Sequence, residues 1–333
     1  MLPPTGGTLE VTIRLNQYSS SIYSHYKQGM TKFYFEVGNL RYGIYFCQDN
    51  VCYQEWLPTH EVFQTDSPGD SPLFILTVVD SQATTEIPED AQHVGNFDNI
   101  DCTLRIYKLP EDGYCILVFN IRQKLVASLS ANKHFTDCRV ALNGSHSEQS
   151  FGLENSVMMA FAFAGCHRKT LLIHASVAVR AGKAYAFLGR SGTGKSTHCQ
   201  LWLKELPETK HLNDDNPVVS ILPDGTIMIY GSPWSGKTPI YKKEGYPAGG
   251  FLRLHQAPQN VIRRQSTVQA FASLLGTAGG LLSDSEASNN QMLTISEIIK
   301  KVKCYEMDCL PNAAAAHISY EAMAKDNGTE DLQ

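Results

Sequence analysis

The stretch Gly189-Arg190-Ser191-Gly192-Thr193-Gly194-Lys195-Ser196-Thr197 decides how this chain is read. It fits G-x-x-x-x-G-K-[ST], the pattern of a phosphate-binding loop. The apolar run Ala184-Tyr185-Ala186-Phe187-Leu188 before it reads as a strand, and residues 196–203 after it read as a helix. That strand, loop and helix setting is what the pattern requires. Backbone N–H groups of such a loop turn inward around a polyphosphate, and the helix N-terminus adds partial positive charge. On this reading Gly189, Ser191, Gly192, Thr193, Gly194, Lys195, Ser196 and Thr197 form the cradle. Lys195 reaches the terminal phosphates, and the Ser196 hydroxyl ligates magnesium.

Working upstream, residues 170–179 read as one strand, followed by Arg180-Ala181-Gly182-Lys183. With Ala181-Gly182 at the centre of a two-residue hairpin turn, residue 180 faces 183 and every pair sums to 363. His174 then falls opposite Gly189, at the mouth of the loop. A slip of one residue would reverse its facing.

Downstream lies His211-Leu212-Asn213-Asp214-Asp215-Asn216-Pro217. The two acids lack the apolar run that precedes the acid of a standard Walker B strand. Beside a phosphate loop, one carboxylate can hold the metal and the other can take a proton from an attacking hydroxyl. Asp214 is favoured as the base, with His174 and Lys195 as the other catalytic groups, and Asp215 joins Ser196 as metal partner. Residues 218–222 and 226–230, around Pro223-Asp224-Gly225, read as a second hairpin. It leads into Gly231-Ser232-Pro233-Trp234-Ser235-Gly236-Lys237-Thr238, a loop in which Trp234 looks exposed, to stack on a base or pack on the domain, and Lys237 is open to a phosphate or an acidic substrate. Arg263 and Arg264 are further phosphate candidates, weighed against a solvated strand end.

The 333 residues suffice for about two domains. Residues 1–148 are expected to form a β-rich domain. Its strands include 10–15, 32–37, 73–79 and a hairpin of 102–107 with 114–121 around Pro110-Glu111-Asp112-Gly113. The polar stretch 143–150 marks the boundary. Residues 149–325 form the phosphate-loop domain, with helices expected at 153–166, 266–275, 295–302 and 313–324, the last capped by Asn312. Residues 326–333 are expected to be a disordered tail. A formal charge of −5 with scattered basic residues gives no reason to expect nucleic acid. No apolar run is long enough to cross a bilayer and no signal peptide is visible, so no membrane partner and a cytoplasmic location are expected. The nine cysteines contain no C-x-x-C pair and read as reduced core residues. Self-association is left open.

The order His174-Ala175-Ser176, then Gly189 to Ser196, then Asp214-Asp215 resembles the catalytic domain of the HPr kinase/phosphorylase family. That domain shares its nucleotide-binding core with ATP-dependent phosphoenolpyruvate carboxykinase. The similarity is tightest over 171–238. It implies an α/β (α+β) fold with a mixed sheet in place of the usual parallel P-loop sheet. It also implies ATP and Mg2+ as cofactors, Lys195 on the ATP phosphates, Ser196 on the metal, and His174 with the two acids around the attacking hydroxyl. The chain departs from the family in three ways. It lacks the arginine-containing signature that follows the acids, its first half does not match the regulatory domain, and the carboxylate-binding groups of a carboxykinase are not found. The expected activity is transfer of the γ-phosphoryl group of ATP to a serine-like hydroxyl on a peptide, protein or small molecule. The alternatives are a non-catalytic ATP-binding sensor and, third, a carboxykinase-type lyase.

Overall fold

In the computed structural model, which describes residues 29–98, 102–236 and 238–325, alternating aromatic and β-branched residues build the first half as strands. These are β1 (Thr31–Val37), β2 (Leu40–Phe46), β3 (Gln64–Thr65), β4 (Ile75–Val78), β5 (Gln92–Asp98), β6 (Cys102–Lys108), β7 (Tyr114–Asn120), β8 (Leu125–Ala131) and β9 (Asp137–Leu142). They form a mixed sheet of order β3-β1-β2-β4-β9-β8-β7-β6-β5. Three adjacent strands, β2, β4 and β9, run parallel, while β5 to β9 pair antiparallel in chain order from β5 to β6, β7 and β8. The hairpin expected around residues 110–113 is the β6–β7 pair, with Asp112 at φ 59 in its turn. Helix α1 (His146–Gly165) follows.

The second half contains β10 (Thr170–Leu172), β11 (Ala175–Arg180), β12 (Lys183–Leu188), α2 (Lys195–Glu205), β13 (Lys210–Asp215), β14 (Val218–Ile221) and β15 (Ile227–Tyr230). It continues with β16 (Gly245–Gln256), β17 (Val261–Arg264), α3 (Thr267–Leu275), α4 (Ser285–Lys301), β18 (Cys304–Cys309) and α5 (Ala313–Lys325). The second mixed sheet has the order β10-β14-β15-β16-β12-β11-β13, with β18 beside β16 and β17 beside β18. The class is therefore α+β with two mixed sheets.

Period two along β11 and β12 sorts their side chains between two helical layers. Ala175, Val177, Ala186 and Leu188 join a core with Leu274 of α3 and Ile295 of α4. Ala178, Tyr185 and Phe187 point the other way, onto Cys199 and Trp202 of α2 and Ala316 of α5. The α2–α5 contact is pinned by polar bonds. The Trp202 indole N–H donates to Ser319 Oγ at 2.8 Å, and His198 Nε2 lies 3.0 Å from the same oxygen. Asn312 accepts from the Ala315 N–H at 3.1 Å and caps α5 as expected.

The chain divides into two compact units. One takes the described residues up to 34 with 42–57 and 74–157, and the other takes 35–41, 58–73 and the residues from 158 onward. The division at 157 falls within α1, downstream of the polar stretch 143–150. No helix among the described residues is long and apolar enough to cross a membrane. All nine cysteines are free, and six of them are buried. The strand expected at 10–15, Lys237 and the tail 326–333 lie outside the described residues.

Two expectations are corrected. Residues 170–179 do not form one strand: β10 ends at Leu172 and β11 begins at Ala175. Neither glycine nor proline marks that break. It arises from pairing, because the Ile173 N–H donates to Pro217 O at 3.1 Å and the His174 N–H to Thr277 O at 2.8 Å. Trp234 is not exposed. It is buried, with the rings of Phe161 and His60 at 5.1 Å and 6.0 Å.

Candidate functional site

Ala181 and Gly182 have φ of 48° and 73°, the pair of positive values that a type I′ turn demands. The register follows from it: Arg180 faces Lys183 and Ala175 faces Leu188, so each pair sums to 363. His174 stands one step beyond the last pair, level with Gly189. On the other side of β11, Ser176 faces Asp214 and Ala175 faces Asp215. The two acids thus end a strand, β13, although Lys210-His211-Leu212-Asn213-Asp214-Asp215 is too polar to read as one. Pairing with β11 overrides local propensity.

Facing residues in a ladder point to the same side. Asp214 therefore shares the side of Ser176, whose hydroxyl meets the Cys199 thiol of α2. The Asp214 carboxylate is buried and accepts two hydroxyl bonds, from Ser196 at 2.8 Å through Oδ1 and from Thr238 at 2.9 Å through Oδ2. Asp215 presents its carboxylate separately. Its Oδ1 lies 3.1 Å from His174 Nε2, and its Oδ2 accepts from Asn216 Nδ2 at 2.8 Å. The His174 and Asp215 side chains remain 40% and 38% exposed, so this pair is open to a reactant while Asp214 is not. Asp215 also has φ of 146°, a backbone state that costs a non-glycine residue on the order of 1–3 kcal/mol.

The loop between β12 and α2 supplies the remaining parts. Gly192 and Gly194 have φ of 80° and 99°, and a Cβ on either would meet nothing within 4 Å. The loop therefore leaves open space at those two positions. Helix α2 begins at Lys195 with Gly194 as its N-cap, which offers no side-chain cap. Its leading N–H groups are thus available to an anion. The Lys195 ammonium donates to Gly189 O at 3.1 Å and Arg190 O at 3.3 Å. Burial lowers the Lys195 pKa, while Asp215 and then Asp214 oppose the shift. Gln256 at the end of β16 donates to Gly192 O at 3.1 Å, and Thr193 Oγ1 to Arg190 O at 2.8 Å. Both bonds hold the loop in shape.

The loop after β15 docks on the acids. Ser235 Oγ donates to the Asp214 carbonyl at 3.3 Å. Ser232, fully buried, donates to Asn216 O at 2.6 Å and receives the Asn213 amide at 3.2 Å. Thr238 and Asn216 were not singled out from the sequence. A hydroxyl in a Gly/Ser loop and an amide beside a proline carry no signal of their own; only the β11–β13 register brings them to the carboxylates. Arg263 is held by Asp308 at 3.0 Å, and Arg264 is an exposed strand-end residue.

His174, the β12–α2 loop, Ser196, Asp214 and Asp215 are thus linked by adjacent strands and direct bonds. The residues fit a magnesium-bound polyphosphate. A lysine and open N–H groups face the cradle, and a hydroxyl with a carboxylate stands at the helix start. The chain matches no protein-family model, and no curated protein is significantly similar to it.

Proposed function

We propose that this chain is an ATP- and Mg2+-dependent phosphotransferase of the HPr kinase type, acting on a hydroxyl acceptor. The observation that carries the reading is the bond of Ser196 to Asp214, which joins the first turn of α2 to the end of β13. A phosphate loop alone can bind nucleotide. A phosphate loop tied to one acid, with a second acid held on a histidine, has the parts for transfer.

The loop N–H groups and Lys195 bind and orient the phosphates of ATP. Ser196 and Asp214 would hold Mg2+, which supplies positive charge against the transferred group. Asp215 takes the proton of the acceptor hydroxyl, and His174 orients that carboxylate and stabilises its charge. This divides the acids the other way round from the sequence-based preference. The reason is access: both Asp214 oxygens are occupied by hydroxyls in a buried position, while Asp215 is partly exposed and paired with His174. The strain at Asp215 fits a residue held for function. The mixed sheet, with β11 antiparallel and β16 parallel to β12, supports the family resemblance. The acceptor is a serine-like hydroxyl on a peptide, protein or small molecule.

The test is phosphoryl transfer from labelled ATP to a panel of hydroxyl-bearing peptides and small molecules. Transfer that needs Mg2+ and disappears in Asp215→Asn supports the reading. ATP binding with no transfer across the panel favours the sensor alternative.

A further inference from the structure

The unit that carries β2, β4 and β9 has a cleft of its own. Parallel strands send their chains out at a common end, and the divergence of those exits leaves a crevice where ligands settle. Here β2 leaves through Cys47 and Gln48, β4 through Val79 to Gln82, and β9 through Leu142. The crevice between them measures about 240 Å3. That is below the usual volume of ligand sites, so the cleft takes nothing larger than a molecule of amino-acid size.

Phe46, Val78 and Leu142 line it and are buried. Trp56 is among the lining residues, and its ring packs on Phe46 at 5.7 Å and His146 at 4.7 Å. Its backbone is tied to α1 by Ser150 Oγ, 2.7 Å from Trp56 O. Gln48, Gln82 and Gln149 also line the cleft, as neutral donors and acceptors. Asp80 is the one formal charge among the lining residues. Arg139 reaches the Cys47 thiol electrostatically without lining the cleft. An indole, a carboxylate and apolar side chains in one lining are complementary to a cation on a short hydrophobic body.

We propose that this cleft binds a small ligand bearing a protonated amine on an apolar body, with the ammonium on Asp80 and the body against Trp56. The site is independent of the phosphate loop and does not rest on the kinase reading.

The full chain is titrated with benzylamine and, as its neutral match, benzyl alcohol, by calorimetry and by tryptophan fluorescence. Trp202 and Trp234 are buried, so a ligand-dependent change that vanishes in Trp56→Phe reports the cleft. Benzylamine is expected to saturate and to bind about tenfold more tightly than the alcohol. Asp80→Asn should bring the two affinities together. Equal affinities in the wild type, an amine affinity unchanged in Asp80→Asn, or no saturable binding of benzylamine would each overturn the proposal. Asp80 is exposed, so its replacement leaves the core packing intact. A thermal melt of each variant checks that it is folded.

Discussion

Ser196 donates its hydroxyl to Asp214 across 2.8 Å, joining two segments that lie 18 residues apart in the chain. In the proposed site this pair holds Mg2+. Ser196→Ala should therefore weaken ATP binding about tenfold or more when Mg2+ is present and change it little in EDTA. Titration of a fluorescent ATP analogue in the two buffers measures the difference. Equal losses in both buffers would move Ser196 from the metal to the phosphate itself.

His174 and Asp215 should separate chemistry from binding. Loss of a general base costs on the order of 10²–10⁴ in rate. Asp215→Asn is expected to lose transfer on that scale, and His174→Gln less, while both keep ATP affinity within a few-fold. Single-turnover rates and equilibrium titrations provide the two numbers. If Asp214→Asn loses transfer with ATP affinity intact and Asp215→Asn does not, the roles of the acids are the reverse.

The closing helix depends on one buried hydroxyl. Ser319 is fully buried, accepts the Trp202 N–H and lies beside His198 Nε2. Ser319→Ala strands the indole N–H away from water, at a cost of about 1–3 kcal/mol. Denaturant unfolding should show a lower midpoint with an unchanged slope.

Acid should weaken the same contact. Burial pushes the His198 imidazole from 6.5 down to about 4, and the more deeply buried His60 down to about 3. Between those values and 6.5 the unfolded chain binds protons that the folded chain refuses. Stability is therefore full above about pH 6.5 and is lost as pH falls toward 4, by roughly 3 kcal/mol for His198 alone. His198→Gln should flatten the pH dependence of the unfolding free energy across that window. A slope unchanged by the substitution would show that the ring is already charged in the fold.

Much of the phosphate-loop unit was legible because its signals are local. The loop carries its own glycines, and the Ala181-Gly182 turn fixes a register that brings His174 to Gly189 by counting alone. Asn312 announces the last helix. What was not legible depends on distant partners. The break at Ile173-His174 is made by Pro217 and Thr277. The acids sit on a strand only because β11 pairs with β13. Trp234 is buried in a Gly/Pro/Ser loop by rings at positions 60 and 161. The neighbouring parallel strands β2, β4 and β9 lie too far apart in sequence for any pattern to align them.

The most direct measurement is a crystal structure of the full chain with Mg2+ and a non-hydrolysable ATP analogue. The γ-phosphate should lie in the loop with Mg2+ on Ser196, and the His174–Asp215 pair should border the open side of that phosphate. A nucleotide bound away from the loop, or a γ-phosphate that neither His174 nor Asp215 can approach, would contradict the account.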